Sequence, residues 1–416
     1  MKELFNTRTE KSHQKYTCQF ITSIHHIDAL KWNALWPSTY PFTQHAFFAA
    51  LENSQSTDAK SGWQPFHLLV FNESDPETMI ACCPLFIKSH SYGEYVFDWS
   101  WADAYHQSGL DYYPKLVNAA PFTPATGPRF GFQENSSHSD QASLLSLMLD
   151  AIQQKSTDLK ASSFHCLFPS TKNSQQLSNT TKSKRLLKRE GCQFHWFNVG
   201  YKDFDDFLTD CVSRKRKMIR KERKKVSDKN IDINILKANE VSAEDWKTFY
   251  SLYHRTYLKR SGRPGYLGET FFSDLAKSLP EQILLAKASL DDVFIAGAVY
   301  FRDEETLYGR YWGTMREVDG LHFETCYYKG IEYAITHKIK RFDPGAQGEH
   351  KIQRGFIPSK TVSYHWLAHP EFSEAVADFL NKEKNYNQKY IDECKQLLPF
   401  NEQARCMSFL KNKESS

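Results

Sequence analysis

Residues 282–312 read QILLAKASLDDVFIAGAVYFRDEETLYGRYW. Apolar, β-branched and aromatic residues dominate 282–288, 293–302 and 305–312, and the polar pairs Asp291-Asp292 and Asp303-Glu304 separate them. Runs of that length joined by short polar turns predict three strands in an antiparallel meander. A helix is expected next, because LHFETCYYKGIEYAITHK (321–338) places Phe323, Tyr327, Ile331 and Ile335 on one stripe at helical spacing.

The meander has an echo earlier in the chain, at an offset of about 215 residues. Tyr92-Gly93-Glu94-Tyr95 recurs as Tyr308-Gly309-Arg310-Tyr311, Ile80-Ala81 as Ile295-Ala296, and HLLV (67–70) as ILLA (283–286). CQFITS (18–23) matches INILKA (233–238), and Trp32 matches Trp246 on helix-like stretches. The counterpart strands in the first half are expected at 66–71, 79–88 and 94–99, with LLSLMLDAI (144–152) as the following helix. Collinear matches of this kind point to duplication, with domains at 1–200 and 201–370 and a C-terminal helix and tail at 371–416.

The 416 residues include 53 Lys plus Arg against 49 Asp plus Glu, and a net charge of +4 is too small for the whole surface to bind nucleic acid. Any polyanion must therefore meet a local patch. Nine cysteines without a CxxC support neither a disulfide framework nor a zinc knuckle, and no metal is expected. The first residues have no apolar core and no run of about 18 apolar residues occurs, so a cytoplasmic protein without a transmembrane segment is expected. P-loop, GxGxxG, HExxH and GxSxG patterns are all missing, which removes the support for nucleotide hydrolysis, dinucleotide redox, zinc proteolysis and serine hydrolysis.

The element order, strand, two helices, three strands, helix, strand, helical stretch, strand, resembles that of GNAT acyltransferases. FDPGAQGEHKIQRGF (342–356) resembles the closing pattern of FemAB-like acyltransferases, in which an FD-G strand leads to a basic K-x-x-(F/R)-G turn. SYGEYVFDWSWADAY (91–105) and PFTPATGPRF (121–130) resemble the predicted N-acyltransferases within that group. The resemblance spans about residues 18–396 and implies tandem GNAT-like (acyl-CoA N-acyltransferase) α/β domains with mixed sheets flanked by helices. It also implies transfer of an acyl or aminoacyl group to an amine-bearing small molecule or peptide, from acyl-CoA or charged tRNA. The loop GTMREVDGLHF (313–323) keeps only Arg316 and Gly320 of the pyrophosphate-binding pattern of CoA-dependent GNAT domains.

Acyl transfer to an amine needs a base for the ammonium, donors for the oxyanion and an acid for the leaving group. Glu349, His350, Lys351 and Arg354 crowd between Gly345, Gly348 and Gly355, so Glu349 or His350 is the candidate proton acceptor, and Lys351 and Arg354 would hold an anion. Glu324 opens the helix after the meander, where the dipole favours a carboxylate, and it is either catalytic or a first-turn charge. Strand alternation predicts Tyr308, Arg310 and Trp312 on one face, as an anion site or as an Arg packed on aromatics. Glu94, Asp98, Trp99, Trp101 and Asp103, with Arg129, read as a pocket wall for a cationic amine or as an aromatic interface.

Nine of the twelve residues 214–225 are basic: Arg214, Lys215, Arg216, Lys217, Arg220, Lys221, Arg223, Lys224 and Lys225. Apolar residues at helical spacing through the run make it an amphipathic helix with a cationic face, which could grip tRNA phosphates or an anionic surface, or simply be solvated. The competing reading of the whole chain is a catalytically inactive module that binds RNA or an anionic surface through this helix.

Overall fold

The computed structural model describes residues 5–9, 16–37, 39–346, 348–402 and 404. Two compact units emerge, one of residues 1–191 and 361–387, the other of residues 192–360 and 388–416. The first unit contains β1 (Phe5–Thr9), β2 (Tyr16–Ile21), α1 (Ala29–Asn33), α2 (His45–Asn53), β3 (Trp63–Pro65), β4 (His67–Asn72), β5 (Asp75–Cys83) and β6 (Phe86–Lys88). It continues with α3 (Trp99–Gln107), β7 (Lys115–Asn118), β8 (Gly131–Phe132), α4 (His138–Asp158), β9 (Ser163–Leu167) and α5 (Thr171–Lys184). The chain passes into the second unit within β10 (Leu187–Phe197).

There it forms α6 (Phe204–Thr209), α7 (Ser213–Ser227), β11 (Asp232–Lys237), α8 (Ala243–Ser261), α9 (Phe271–Ser278), β12 (Ile283–Leu290), β13 (Val293–Arg302) and β14 (Thr306–Thr314). A helix in three parts follows: α10 (Leu321–Phe323), a π-helical turn (Glu324–Tyr328) and α11 (Lys329–Thr336). After β15 (Arg341–Asp343), β16 (Ile357–Leu367) and α12 (Pro370–Gln396) carry the chain back through the first unit.

In the second unit the strands run in the order β11-β12-β13-β14-β15-β10. The expected meander is present, with Ile283 opposite Phe301 and Ala298 opposite Trp312, and all pairs are antiparallel except β14 with β15. The parallel pairing covers Thr306–Tyr308 against Arg341–Asp343, and the rest of β14 has no strand partner on that side among the described residues. The apolar core gathers Trp196, Phe207, Tyr300, Tyr328, Ile331, Phe342 and Phe356.

The π turn has a local cause. Widening the helix by one residue frees a carbonyl, and here the phenol of the buried Tyr300 donates to the carbonyl of Thr325.

In the first unit, β1-β2-β4-β5-β8 form one sheet, and β9-β7-β6-β3 form a second ladder that β16 joins through β9. Helix α4 covers the core with Leu144, Leu145, Met148, Leu149 and Ile152, as the apolar run 144–152 predicts. The strand expected at 94–99 is not there. Gly93 (φ 81°) and Tyr95 (φ 61°) turn the backbone through left-handed conformations, and residues 99–107 are helical. An extended strand cannot pass through two such residues. The expected strand 79–88 is two strands, broken at Pro84.

Candidate functional site

The site lies at the far end of β14, beyond its short pairing with β15. A cleft of about 270 Å³ opens there between the end of α8 (Arg255, Thr256, Lys259, Arg260), the end of β14 (Trp312, Thr314), the following loop and the start of α10. Gly313 permits the approach of α8: a Cβ on it would stand 2.3 Å from the backbone N of Tyr253. The loop supplies Arg316, and Glu317 pairs with Lys259 at 2.6 Å. The guanidiniums of Arg255, Arg260 and Arg316 make no ion pair or hydrogen bond with a described residue. Three exposed, unpaired guanidiniums around one concavity suit an anion that accepts several hydrogen bonds, phosphate above all.

Ionic contacts hold several other polar groups of the second unit. Arg310 donates to both carboxylate oxygens of Asp343 (2.7 and 3.2 Å) and to its carbonyl (3.0 Å), with both side chains buried. Burial alone would raise the Asp343 carboxyl, but Arg310 and His195 hold it well below the usual range. Tyr308 donates to Asp303 (2.7 Å), and Trp312 lies in the cleft. The three do not work as one face, because the β13–β14 register skips Arg310, opposing Tyr300 to Gly309 and Val299 to Tyr311.

The turn 349–354 divides its polar side chains. Glu349 accepts from the Tyr390 phenol (2.9 Å). His350 is exposed and sits 2.9 Å from the Tyr327 hydroxyl through Nε2, and its pKa is lowered by desolvation and by Lys351 and Arg354. Lys351 is buried with Nζ among the carbonyls of Gly345 (2.7 Å), Ala346 (3.3 Å) and Pro344 (3.4 Å). Burial pushes this amine down to about 7, Arg310 adding to the shift and Asp343 opposing it. Arg354 lies over the Phe323 ring and holds Glu222 (2.7 and 3.1 Å) and the His350 carbonyl (2.6 Å). Glu324 is buried and receives three bonds from Arg223 (2.8–3.1 Å). The structure therefore places His350 beside Tyr327, with Glu349 and Glu324 each engaged elsewhere.

Helix α7 forms over the expected run, with Ile219 and Val226 buried. Most of its cations are held within the protein. Arg220 pairs with Asp205, Arg223 with Glu324 and Glu332, Lys224 with Asp228 and Lys225 with Asp319, while Lys215 meets Gln353 and Arg216 caps the carbonyls of Thr209 and Cys211. Arg214, Lys217 and Lys221, spaced along one face, have no side-chain partner among the described residues.

In the first unit, Glu94 and Asp98 converge on Lys115 rather than on a pocket. Lys115 and Lys88 occupy opposed positions on β7 and β6, both wholly buried. Burial pushes Glu94 up to about 7 against the pull of Lys115, and pushes Lys88 down to about 6. Trp99 is exposed, edge-on to Tyr92, and Trp101 is buried against His365. Asp103 is exposed. Arg129 is buried, and among the described residues its guanidinium donates to the carbonyls of Leu167, Pro128 and Ala125.

Sequence reasoning missed Arg255, Arg260, Tyr327 and Asp343. The basic end of α8, RTYLKRSGR (255–263), carried a signal, since residues 255, 259 and 260 lie on neighbouring positions of one helix face.

The FemAB-like family model, described as peptidoglycan biosynthesis/recognition, matches residues 23–402. The chain belongs to the FemAB-like family. Among solved structures it is similar to FemX, at 12% identity and a TM-score of 0.51, over 85% of this chain and 99% of that one. It is also similar to the C-terminal domain of a protein from Agrobacterium fabrum named as a lysylphosphatidylglycerol synthetase, at 10% identity and a TM-score of 0.50, over 86% of this chain and 96% of that one. At such identities the likeness is one of fold, and it covers both units. No curated protein matches the sequence. No described helix is long and apolar enough to cross a membrane.

Proposed function

We propose that this FemAB-like protein is an N-acyltransferase that moves an acyl or aminoacyl group from a phosphate-bearing carrier, acyl-CoA or charged tRNA, to an amine of a peptidoglycan-type peptide. The observation that carries the reading is the cleft at the end of β14, ringed by the unpaired Arg255, Arg260 and Arg316. The carrier's phosphates would lie on these guanidiniums, with the acyl carbonyl further in towards Trp312. His350 is the proton acceptor. Desolvation and its cationic neighbours keep it neutral, and Tyr327 at Nε2 orients the ring. Lys351 and Arg354 act indirectly, one fixing the loop 344–346 and the other the backbone of His350.

Calorimetric titration with acetyl-CoA, a long-chain acyl-CoA and charged tRNA tests this. One of the three should bind, and Arg260→Glu should weaken it by on the order of tenfold or more, since a charge-assisted hydrogen bond contributes about 1.5–3 kcal/mol. Binding indifferent to Arg260→Glu, or no binding by any of the three, would sink the reading. RNA binding that depends only on Arg214, Lys217 and Lys221, without turnover, would instead mark a binding module.

A further inference from the structure

His322 is the second residue of α10 and forms part of the cleft wall. Its ring meets Trp312 edge-on at 5.3 Å and Tyr327 at 5.4 Å, with the His350 ring 6.4 Å away. No hydrogen bond joins either ring nitrogen to a described residue. Desolvation pushes its pKa down to about 3, and Arg260, His350, Lys351 and Arg354 push the same way. Burial and these cations therefore favour the neutral ring. One nitrogen carries a hydrogen, and it has no partner among the described residues.

An imidazole of such low basicity cannot take the proton of an ammonium, but its N–H can stabilise negative charge on an oxygen. Several neutral donors around the cleft are occupied, and the unpaired guanidiniums of Arg255, Arg260 and Arg316 are assigned to the carrier's phosphates. The amides of Thr314, Met315 and Leu321 bond to Thr256 Oγ1, Ile295 O and Val318 O. The Thr314 hydroxyl donates to the Arg316 carbonyl (2.6 Å), and Lys351 and Arg354 are held by the loop carbonyls and Glu222.

We propose that His322 is the hydrogen-bond donor to the oxyanion formed in this cleft, an inference that rests on the acyl-transfer reading above. In the step, the lone pair of the neutral amine forms the N–C bond to the donor's carbonyl carbon, and the C=O pair moves onto oxygen, where His322 N–H donates to it. The proton of the new ammonium passes to His350. The intermediate then re-forms C=O and breaks the bond to the carrier sulfur or oxygen, which leaves with that proton. His322 itself neither gains nor loses a proton.

The test is single-turnover transfer from acetyl-CoA and from alanyl-tRNA to hydroxylamine as a surrogate amine, read as hydroxamate, beside the affinity of the same donors. His322→Phe should slow transfer by ~10²-fold or more, the usual effect of deleting one oxyanion donor. Donor affinity should stay within about twofold, and the shape of the pH profile from 6 to 9 should not change. His322→Gln, which keeps an N–H donor of similar reach, should recover part of the rate, and it serves as a second probe should Phe disturb the fold.

Transfer by His322→Phe within about threefold of wild type, or equal losses in rate and affinity, would overturn the assignment, as would removal of a pH break. If the wild-type protein bound neither donor or gave no protein-dependent hydroxamate, the acyl-transfer reading would fall first and this inference with it.

Discussion

Lys115→Met removes the centre of the buried ionic cluster in the first unit. Lys115 Nζ lies 2.8 Å from Glu94 Oε2 and 2.8 Å from Ser91 Oγ, and it also bonds Asp98, all out of contact with water. Burial by itself would raise the Asp98 carboxyl, yet Lys115 and His165 hold it well below the ordinary range, so Asp98 is an anion that depends on this ammonium. Lys88 is a poor replacement: it is 3.9 Å from Glu94 and its own amine is driven towards neutrality. Removing one partner of a buried ion pair costs about 3–5 kcal/mol, which for a unit of this size lowers Tm by roughly 6–20 °C. The loss should depend on pH. Asp98 stabilises the wild-type fold above its unfolded pKa, and that contribution disappears as pH falls through the lowered folded value. In Lys115→Met the buried carboxyl is raised instead, so the deficit should shrink as pH falls from 7 towards 4 and close only where the wild-type Asp98 is protonated as well. Adding Asp98→Asn should restore part of the Tm at pH 7. Thermal melts followed by circular dichroism at pH 7 and pH 4 read all of this, and a deficit under about 1 kcal/mol at pH 7, or one that does not change with pH, would refute the reasoning.

Two further outcomes are expected. His165 and His365 sit opposite each other on β9 and β16 with their Nδ1 atoms 2.6 Å apart and each Nε2 on a serine hydroxyl. Burial pushes His165 down to about 3 and His365 well below its usual value. Only the unfolded chain takes up their protons below about pH 6.5, so stability should hold above that pH and fall beneath it by up to about 1.4 kcal/mol per unit for each group. Melts between pH 7.5 and 4.5 should be less steep in pH for His165→Leu/His365→Leu, and an unchanged slope would contradict the pairing. Gly313→Ala places a methyl carbon 2.5 Å from the Leu252 carbonyl carbon, where neither α8 nor β14 can yield cheaply. It should cost roughly 1–3 kcal/mol in urea unfolding, and a neutral result would mean the two elements are not in contact.

The residues that were legible were those whose neighbours in sequence are also their neighbours in space. The meander 283–314 and the helices α4, α7 and α12 follow from period-2 or 3.6-residue patterning, since burying one face of each needs little more than its own sequence. The run 94–99 was misread because a strand-like composition says nothing about the positive φ of Gly93 and Tyr95. The basic helix was read correctly as a helix, but its charges were read as free. Most of their partners, Asp205, Asp319, Glu324, Glu332 and Gln353, come from other elements. In the turn 349–354 adjacent residues face different ways, so the carboxylate beside His350 in sequence meets Tyr390 instead.

The amino-acid sequence by itself determined that the chain is α/β and FemAB-like in pattern, because these properties rest on periodicity and motif order. Only the tertiary structure decided which charges remain available. Arg310, Lys351, Arg354, Glu94 and Asp98 are neutralised by groups distant along the chain or by backbone carbonyls, whereas Arg255, Arg260 and Arg316 are not. A buried charge must find a partner to offset its desolvation, and which one it finds is set by how the elements pack.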